Sequence, residues 1–366
     1  MFKILVENYA DINTVNNDNV NCLIVTAMYN SVDVLPDLIQ VLGATGSRQF
    51  DHQDSNGDTA LIIACNNEYL DVITLLLTCP LNFDVQNNNG DTALLCLCNK
   101  GIKNMKCIEL VVSKADVNLV NNDGLSAIVI AARQEDYALM KQLVDQGRAN
   151  LNICNKEKET ALCIACERKN FKIAQYLLEH GADPNLQSST GFTGLLHACQ
   201  RDQTKIAKLL LSHGADPNLQ NIAGYTALVW ASIKQNIELV TELLNHSADP
   251  NVQVMTYSRY SALTWAMIKN DVMVIKKLLY HGADPYLRVN NGKISFDYLN
   301  ISQKSEVVSY YARVNRWHRR KSFLMFLVYT NYLPLMKNSH VVDNQALKYE
   351  RVLTNIHLVQ IICAYV

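Results

Sequence analysis

The pentad Gly-x-Thr-Ala-Leu returns along this chain at a nearly fixed interval, and that periodicity constrains the fold more than any other feature. It stands as GDTAL at Gly57 and Gly90 and as GYTAL at Gly224, with looser copies at Gly124, Lys158, Gly191, Arg259 and Gly292. From Gly57 onward the anchors are 33, 34, 34, 33, 33, 35 and 33 residues apart. A second marker keeps the same beat: GADPN at Gly181 and Gly214, SADPN at Ser247, GADPY at Gly282, and a looser ADVN at Ala115. Two markers in one register over about 300 residues define an array of like units. A single unit cannot bury its apolar faces alone, so neighbours must stack. The two or three globular domains that 366 residues would otherwise imply therefore give way to one elongated domain.

Within each unit the residue types predict the local structure. Thr59, Thr92, Ser126, Thr160, Thr193, Thr226 and Ser261 precede apolar runs, where a hydroxyl can cap free backbone N–H groups of a helix. The run after each is short and rich in small residues, as in Leu61-Ile62-Ile63-Ala64-Cys65, and reads as an inner helix packed closely on its neighbours. A longer outer helix follows, with Val72, Ile73, Leu76 and Leu77 at helical spacing. Gly181, Gly214 and Gly282 suit a left-handed helix stop, and Pro184, Pro217, Pro250 and Pro285 keep the helix from continuing.

These motifs resemble those of the ankyrin repeat family, over residues 1–312. The resemblance implies an all-α solenoid of turn-helix-loop-helix units: about eight full repeats plus an N-terminal half-repeat, followed by a short helical C-terminal tail. The expected divisions are a partial repeat at 1–16, the array at 17–312, and a cap or docking tail at 313–366. The chain departs from the family pattern in two respects. The proline after the threonine is alanine in most copies. The histidine after the leucine is replaced by Ile62, Leu95, Val129, Cys163, Leu196, Val229 or Thr264, which leaves packing between repeats to apolar contact. The 38-residue step from Asn19 to Gly57 places extra residues near Gly43 to Phe50. The segment Met1 to Asn13 reads as an outer helix without its partner, which fits either a truncated product of a longer protein or a half-repeat cap.

Composition narrows the function. A net charge of −1 predicts no polyanion binder. Eleven cysteines, an odd number set inside apolar runs, point to a reducing cytoplasmic compartment, with the nucleus as the second choice. The longest late apolar run, Phe323 to Tyr329, is far short of the roughly 20 residues a membrane span needs. Cys163-x-x-Cys166 has the spacing of a redox or zinc site, yet Cys166 shares its repeat position with Cys65, Cys98 and Cys199 and reads as a buried small hydrophobe. His180, His213, His246 and His281 recur at the ends of outer helices, where a partial cation meets the helix dipole favourably. They lie one per repeat, so no metal site is expected. No phosphate loop, nucleophile elbow or carboxylate pair is seen, so neither an enzyme nor a cofactor is expected.

Two rows of equivalent residues are candidate partner surfaces. The turn residue before the capping hydroxyl runs Asp58, Asp91, Leu125, Glu159, Phe192, Tyr225, Tyr260, Lys293, acidic at first and then aromatic. Ile222 and Tyr257 fall beside it on the same turns. Aromatic residues dominate interface hot spots, and the alternative is that these rings pack on one another as fillers. The second row, at the end of the inner helix, carries Lys100, Gln134, Arg168, Arg201, Lys234 and Lys269, a basic ladder along the expected concave face. It would attract an acidic peptide, or else be an ordinary solvated face. In the tail, Arg313, Arg316, His318, Arg319, Arg320 and Lys321 surround Trp317, and 351–366 is loosely similar to F-box-like adaptor segments. The expected function is a monomeric, non-catalytic scaffold or adaptor that binds a protein through turn tips and concave groove. A ubiquitin-ligase substrate receptor is the alternative, and nucleic acid or an anionic membrane ranks last.

Overall fold

A computed structural model describes residues 14–44, 48–101, 105–146, 148–256 and 258–336, the last helix by backbone alone from 319 on. The described residues are helical throughout, with strand geometry limited to isolated bridges such as Val120–Ser126 and Cys154–Thr160. Two compact units divide the chain, 1–262 and 263–366.

In the first unit seven helix pairs follow one another, from Cys22–Met28 with Leu35–Ala44 to Ala227–Ile233 with Ile237–Asn245. Successive inner helices pack against one another, Ala60–Asn66 on Ala93–Asn99 and Ala161–Glu167 on Gly194–Gln200. That contact is close because the inner faces carry small side chains. Ala64, Ala131, Ala165, Ala198 and Ala231 are wholly buried, as are Cys65, Cys98, Cys166 and Cys199. Burial pushes the Cys65 and Cys166 thiols well above the usual range, so both members of the Cys163-x-x-Cys166 motif sit in the core as neutral hydrophobes.

The threonine row caps the inner helices. The hydroxyl oxygens of Thr59, Thr92, Thr160, Thr193 and Thr226 accept the N–H three residues on, at 3.2–3.3 Å. Ser126 departs from the row: its hydroxyl caps nothing, is wholly buried and has no partner among the described residues. Thr226→Ala should therefore cost about 1 kcal/mol, while Ser126→Ala, which removes an unpaired buried oxygen, should be neutral or slightly stabilising. Urea midpoints of the two variants check this, and equal losses would refute it.

Outer helices begin and end by their own devices. Asp136, Asn170 and Asn236 cap them by accepting from Leu139, Ile173 and Leu239 N–H at 2.9–3.1 Å. At the far end His180, His213 and His246 turn Nδ1 onto the carbonyl four residues back, at 2.8, 2.9 and 3.0 Å. Each of these carbonyls also accepts the backbone N–H of the same histidine, so the imidazole adds a second bond at the helix end. Gly181 and Gly214 then take φ of +88° and +83°.

In the second unit, helix Val272–Tyr280 ends at His281 and Gly282, and a 3₁₀ turn, Ser295–Tyr298, stands where an inner helix is expected. Ile294 has no hydroxyl to cap this turn, and its own N–H is held by the Asp297 carboxylate at 2.9 Å. One continuous helix, Ile301–Met336, then crosses the expected division at 312/313, because no proline or glycine interrupts it there. Lys276 bonds Glu306 at 2.5 Å, His318 Nε2 lies 2.9 Å from the Tyr280 carbonyl, and Trp317 stacks on Tyr280 at 5.8 Å. The aromatic centre of the basic cluster is thus engaged in packing. The N-terminal half-repeat, apart from its last residues, and the F-box-like segment lie outside the described residues.

Candidate partner-binding surface

Each turn tip is built by one polar side chain and one left-handed residue. At Asn221 the side-chain oxygen accepts the N–H groups of Ala223 and Tyr225, at 3.1 and 3.0 Å, and Gly224 takes φ of +79°. Asp54, Asn87 and Asn121 do the same in earlier repeats. The tips then bond to one another: Ser55 N–H to Asp18 O, Asn88 to Asn56, Asn122 to Asn89, Ser189 to Glu157, Ile222 to Thr190 and Met255 to Ala223, at 2.7–3.1 Å. The result is a ladder of fingers fixed by these backbone bonds and, in the earlier repeats, by side-chain amides as well, as where Asn88 donates to the Ser55 carbonyl and Asn122 to that of Asn88.

On that ladder the second tip residue faces outward. It is polar for five repeats, namely Ser55, Asn88, Asn122, Lys156 and Ser189, and then becomes Ile222 and Met255, both 72% exposed. Sequence reasoning paired Ile222 with Tyr257. The bonding pattern makes Met255 the counterpart of Ile222, and Tyr257 lies outside the described residues. The 35-residue step from Gly224 to Arg259 hid this, since it adds two residues after Met255 rather than before it. Counting forward from the Gln-x-x marker (Gln220, Gln253) would have found it.

The aromatic row is not simply solvent-facing. Phe192, Tyr225 and Tyr260 are half-buried. Phe192 lies flat on His197 and Tyr225 on Trp230, each pair with centroids 4.7 Å apart and planes 29° and 23° from parallel. The ring precedes the capping threonine and its partner stands in the first turn beyond, which is the arrangement of a hydrophobic staple. Earlier repeats place Ile63, Cys96, Ile130 and Ile164 at the His197 and Trp230 position, 3–8% exposed, whereas His197 and Trp230 stay half-buried. The missed signal was that the inner row turns aromatic in the same repeats as the tip row. The rings therefore both brace their own helices and leave an aromatic surface beside Ile222 and Met255. Met255 continues that surface, since its Cγ lies over Gly224, next to Tyr225.

The basic row resolves into ties between neighbouring repeats. Lys100 donates to the Asn66 carbonyl, Gln134 to those of Cys98 and Asn99, Arg168 pairs with Glu135 at 3.9 Å, and Arg201 with Glu167 at 2.6 Å. Each reaches back one unit, and Glu135 and Glu167 neutralise the two arginines. Such exposed pairs are worth at most about 1 kcal/mol each. Lys234 differs: it is exposed, and no carboxylate among the described residues lies within 4 Å of it. Lys269 stands exposed in the second unit, after helix Ala262–Ile268.

Among the described residues no cluster of histidine, cysteine and carboxylate side chains could hold a metal, and no helix is long and apolar enough to cross a membrane. No curated protein matches the chain. A family model described as ankyrin repeats (3 copies) matches residues 1–87, 72–153, 102–188, 128–221 and 195–289, a continuous cover of 1–289. Repeats of this kind are generally protein–protein interaction modules. With its threonine-capped inner helices, its bonded tips and this match over most of its length, the chain belongs to the ankyrin-repeat family.

Proposed function

We propose that this chain is a non-catalytic adaptor that holds a protein partner on the tips and inner-helix face of its sixth and seventh helix pairs. One observation carries the reading: on a ladder whose second tip position is otherwise polar, Ile222 and Met255 stand in successive repeats, largely exposed and outside the core. Apolar side chains left largely exposed in a monomer gain further burial from a partner, at about 25 cal/mol per Å². The flanking Tyr225–Trp230 pair adds the aromatic character that anchors interfaces.

The test is a double substitution, Ile222→Asp with Met255→Asp, in the full chain. Because both side chains are exposed, the melting temperature should stay within about 2 °C of wild type, while partners captured by the wild-type chain from cell extract should be lost. Retention of every partner would refute the reading. A ubiquitin-ligase receptor would in addition need residues 351–366, outside the described residues, and no described contact favours it.

A further inference from the structure

The partner's chemistry can be read from three features of the same ledge. The first is repetition. Phe192–His197 and Tyr225–Trp230 offer two flat aromatic pairs of like geometry, one repeat apart, and Ile222 and Met255 repeat at the same step. Packed helices stand about 8–10 Å apart, and a polyproline II helix rises about 9.3 Å in one three-residue turn. A ligand in that conformation therefore places every third side chain over successive repeats without adjustment.

The second feature is the kind of surface. Half-buried rings lying flat on their neighbours cannot open to admit a deep side chain, but they offer faces on which proline rings lie well, the usual way such segments are bound. The third is charge. The nearest ladder cation, Arg201, is neutralised by Glu167, and the tip residues Ser188–Thr190 and Asn221–Ala223 carry no charge. Lys234, which ends the helix that carries Trp230, has no carboxylate within 4 Å among the described residues, and neither does Arg259, in the turn that carries Met255, which bonds Gln253 instead.

We infer that the ledge formed by Phe192, Tyr225, Trp230, Ile222 and Met255 binds an extended, proline-containing segment of a partner protein, with apolar residues at every third position and a carboxylate side chain that meets Lys234. This rests on the adaptor reading and names the occupant. The segment arrives already extended, so little conformational entropy is lost on binding.

The probe is a fluorescein-labelled 12-residue peptide of Leu-Pro-Pro triplets with one glutamate, titrated with the full chain by fluorescence anisotropy. Saturable binding is expected, about tenfold weaker for Ile222→Asp with Met255→Asp. Lys234→Glu should weaken it about threefold and should recover when the peptide's glutamate becomes lysine. Three results would each overturn the inference: no saturable binding, equal binding by the double variant, or equal binding of a peptide whose prolines are alanines. If the peptide fails while the double substitution still abolishes capture of the natural partner, the occupant is wrong and the adaptor reading stands. If capture survives the substitution, the adaptor reading itself falls.

Discussion

Gly224→Ala is expected to cost about 3 kcal/mol of folding free energy, several times the loss at Gly214→Ala. Both glycines hold left-handed backbone, with φ of +79° and +83°, so an added methyl strains each by about 1 kcal/mol. Their surroundings differ. At Gly214 a new Cβ meets nothing within 4 Å. At Gly224 it would lie 2.3 Å from the Met255 backbone nitrogen and 2.8 Å from Met255 Cγ. That nitrogen cannot retreat freely, because its N–H is bonded to the Ala223 carbonyl at 2.9 Å and so holds the two tips in register. Relieving the overlap means opening a rung of the ladder, and overpacking of this kind costs about 1–3 kcal/mol beyond the strain. Urea unfolding followed by circular dichroism gives both values. Equal losses at the two glycines would show that backbone strain alone sets the requirement and that the tips are not held together as described.

The same contrast shows what the sequence can and cannot say. Left-handed stops at Gly181 and Gly214, hydroxyl caps at five threonines and the burial of the Cys65, Cys98, Cys166 and Cys199 row follow from local chemistry repeated at a fixed interval, and each stands where the residue type predicts. Ser126 fails as a cap although its type is right, and its hydroxyl is buried with no partner among the described residues. The candidate surface was less legible, for a related reason. A row of equivalent residues reads as a surface only when its contacts are known. Phe192 and Tyr225 look like free tips until His197 and Trp230 are seen beneath them, and Arg168 and Arg201 look like a basic groove until Glu135 and Glu167 are seen to reach them. Contacts one repeat apart, such as Arg168 with Glu135, are invisible to any short-range reading, yet they decide which members of a row remain available. Ile222 was legible because nothing in the chain covers it. Met255 was not, because a two-residue insertion moved the turn's other residues out of step.

His197 brings a strong pH dependence to the acid range. It occupies a row filled elsewhere by Ile130 and Ile164, stacks on Phe192, and its Nδ1 is buried with no partner among the described residues. Burial lowers its pKa from 6.5 to about 4, with Arg201 acting in the same direction and Glu167 opposing both. The folded state therefore resists a proton that the unfolded chain accepts. The sign follows: above pH 6.5 both states are neutral and stability is unaffected, and as pH falls from 6.5 to 4 the unfolded state gains a proton that the fold excludes. About 3 kcal/mol is lost across that window. Carboxylates also titrate at its lower end, so the prediction is placed on a difference. His197→Ile keeps the apolar contact with Phe192 and removes the titration. It should match or slightly exceed the wild type at pH 7.5, where the unpaired nitrogen is all that is lost, and should exceed it by about 3 kcal/mol near pH 4. Urea midpoints of the two proteins at pH 7.5, 5.5 and 4.5 measure the gap. A gap that stays constant with pH would mean that His197 finds a proton-sharing partner in the fold. The stacked pairs would then be polar contacts rather than the dry aromatic ledge on which the proposed segment lies.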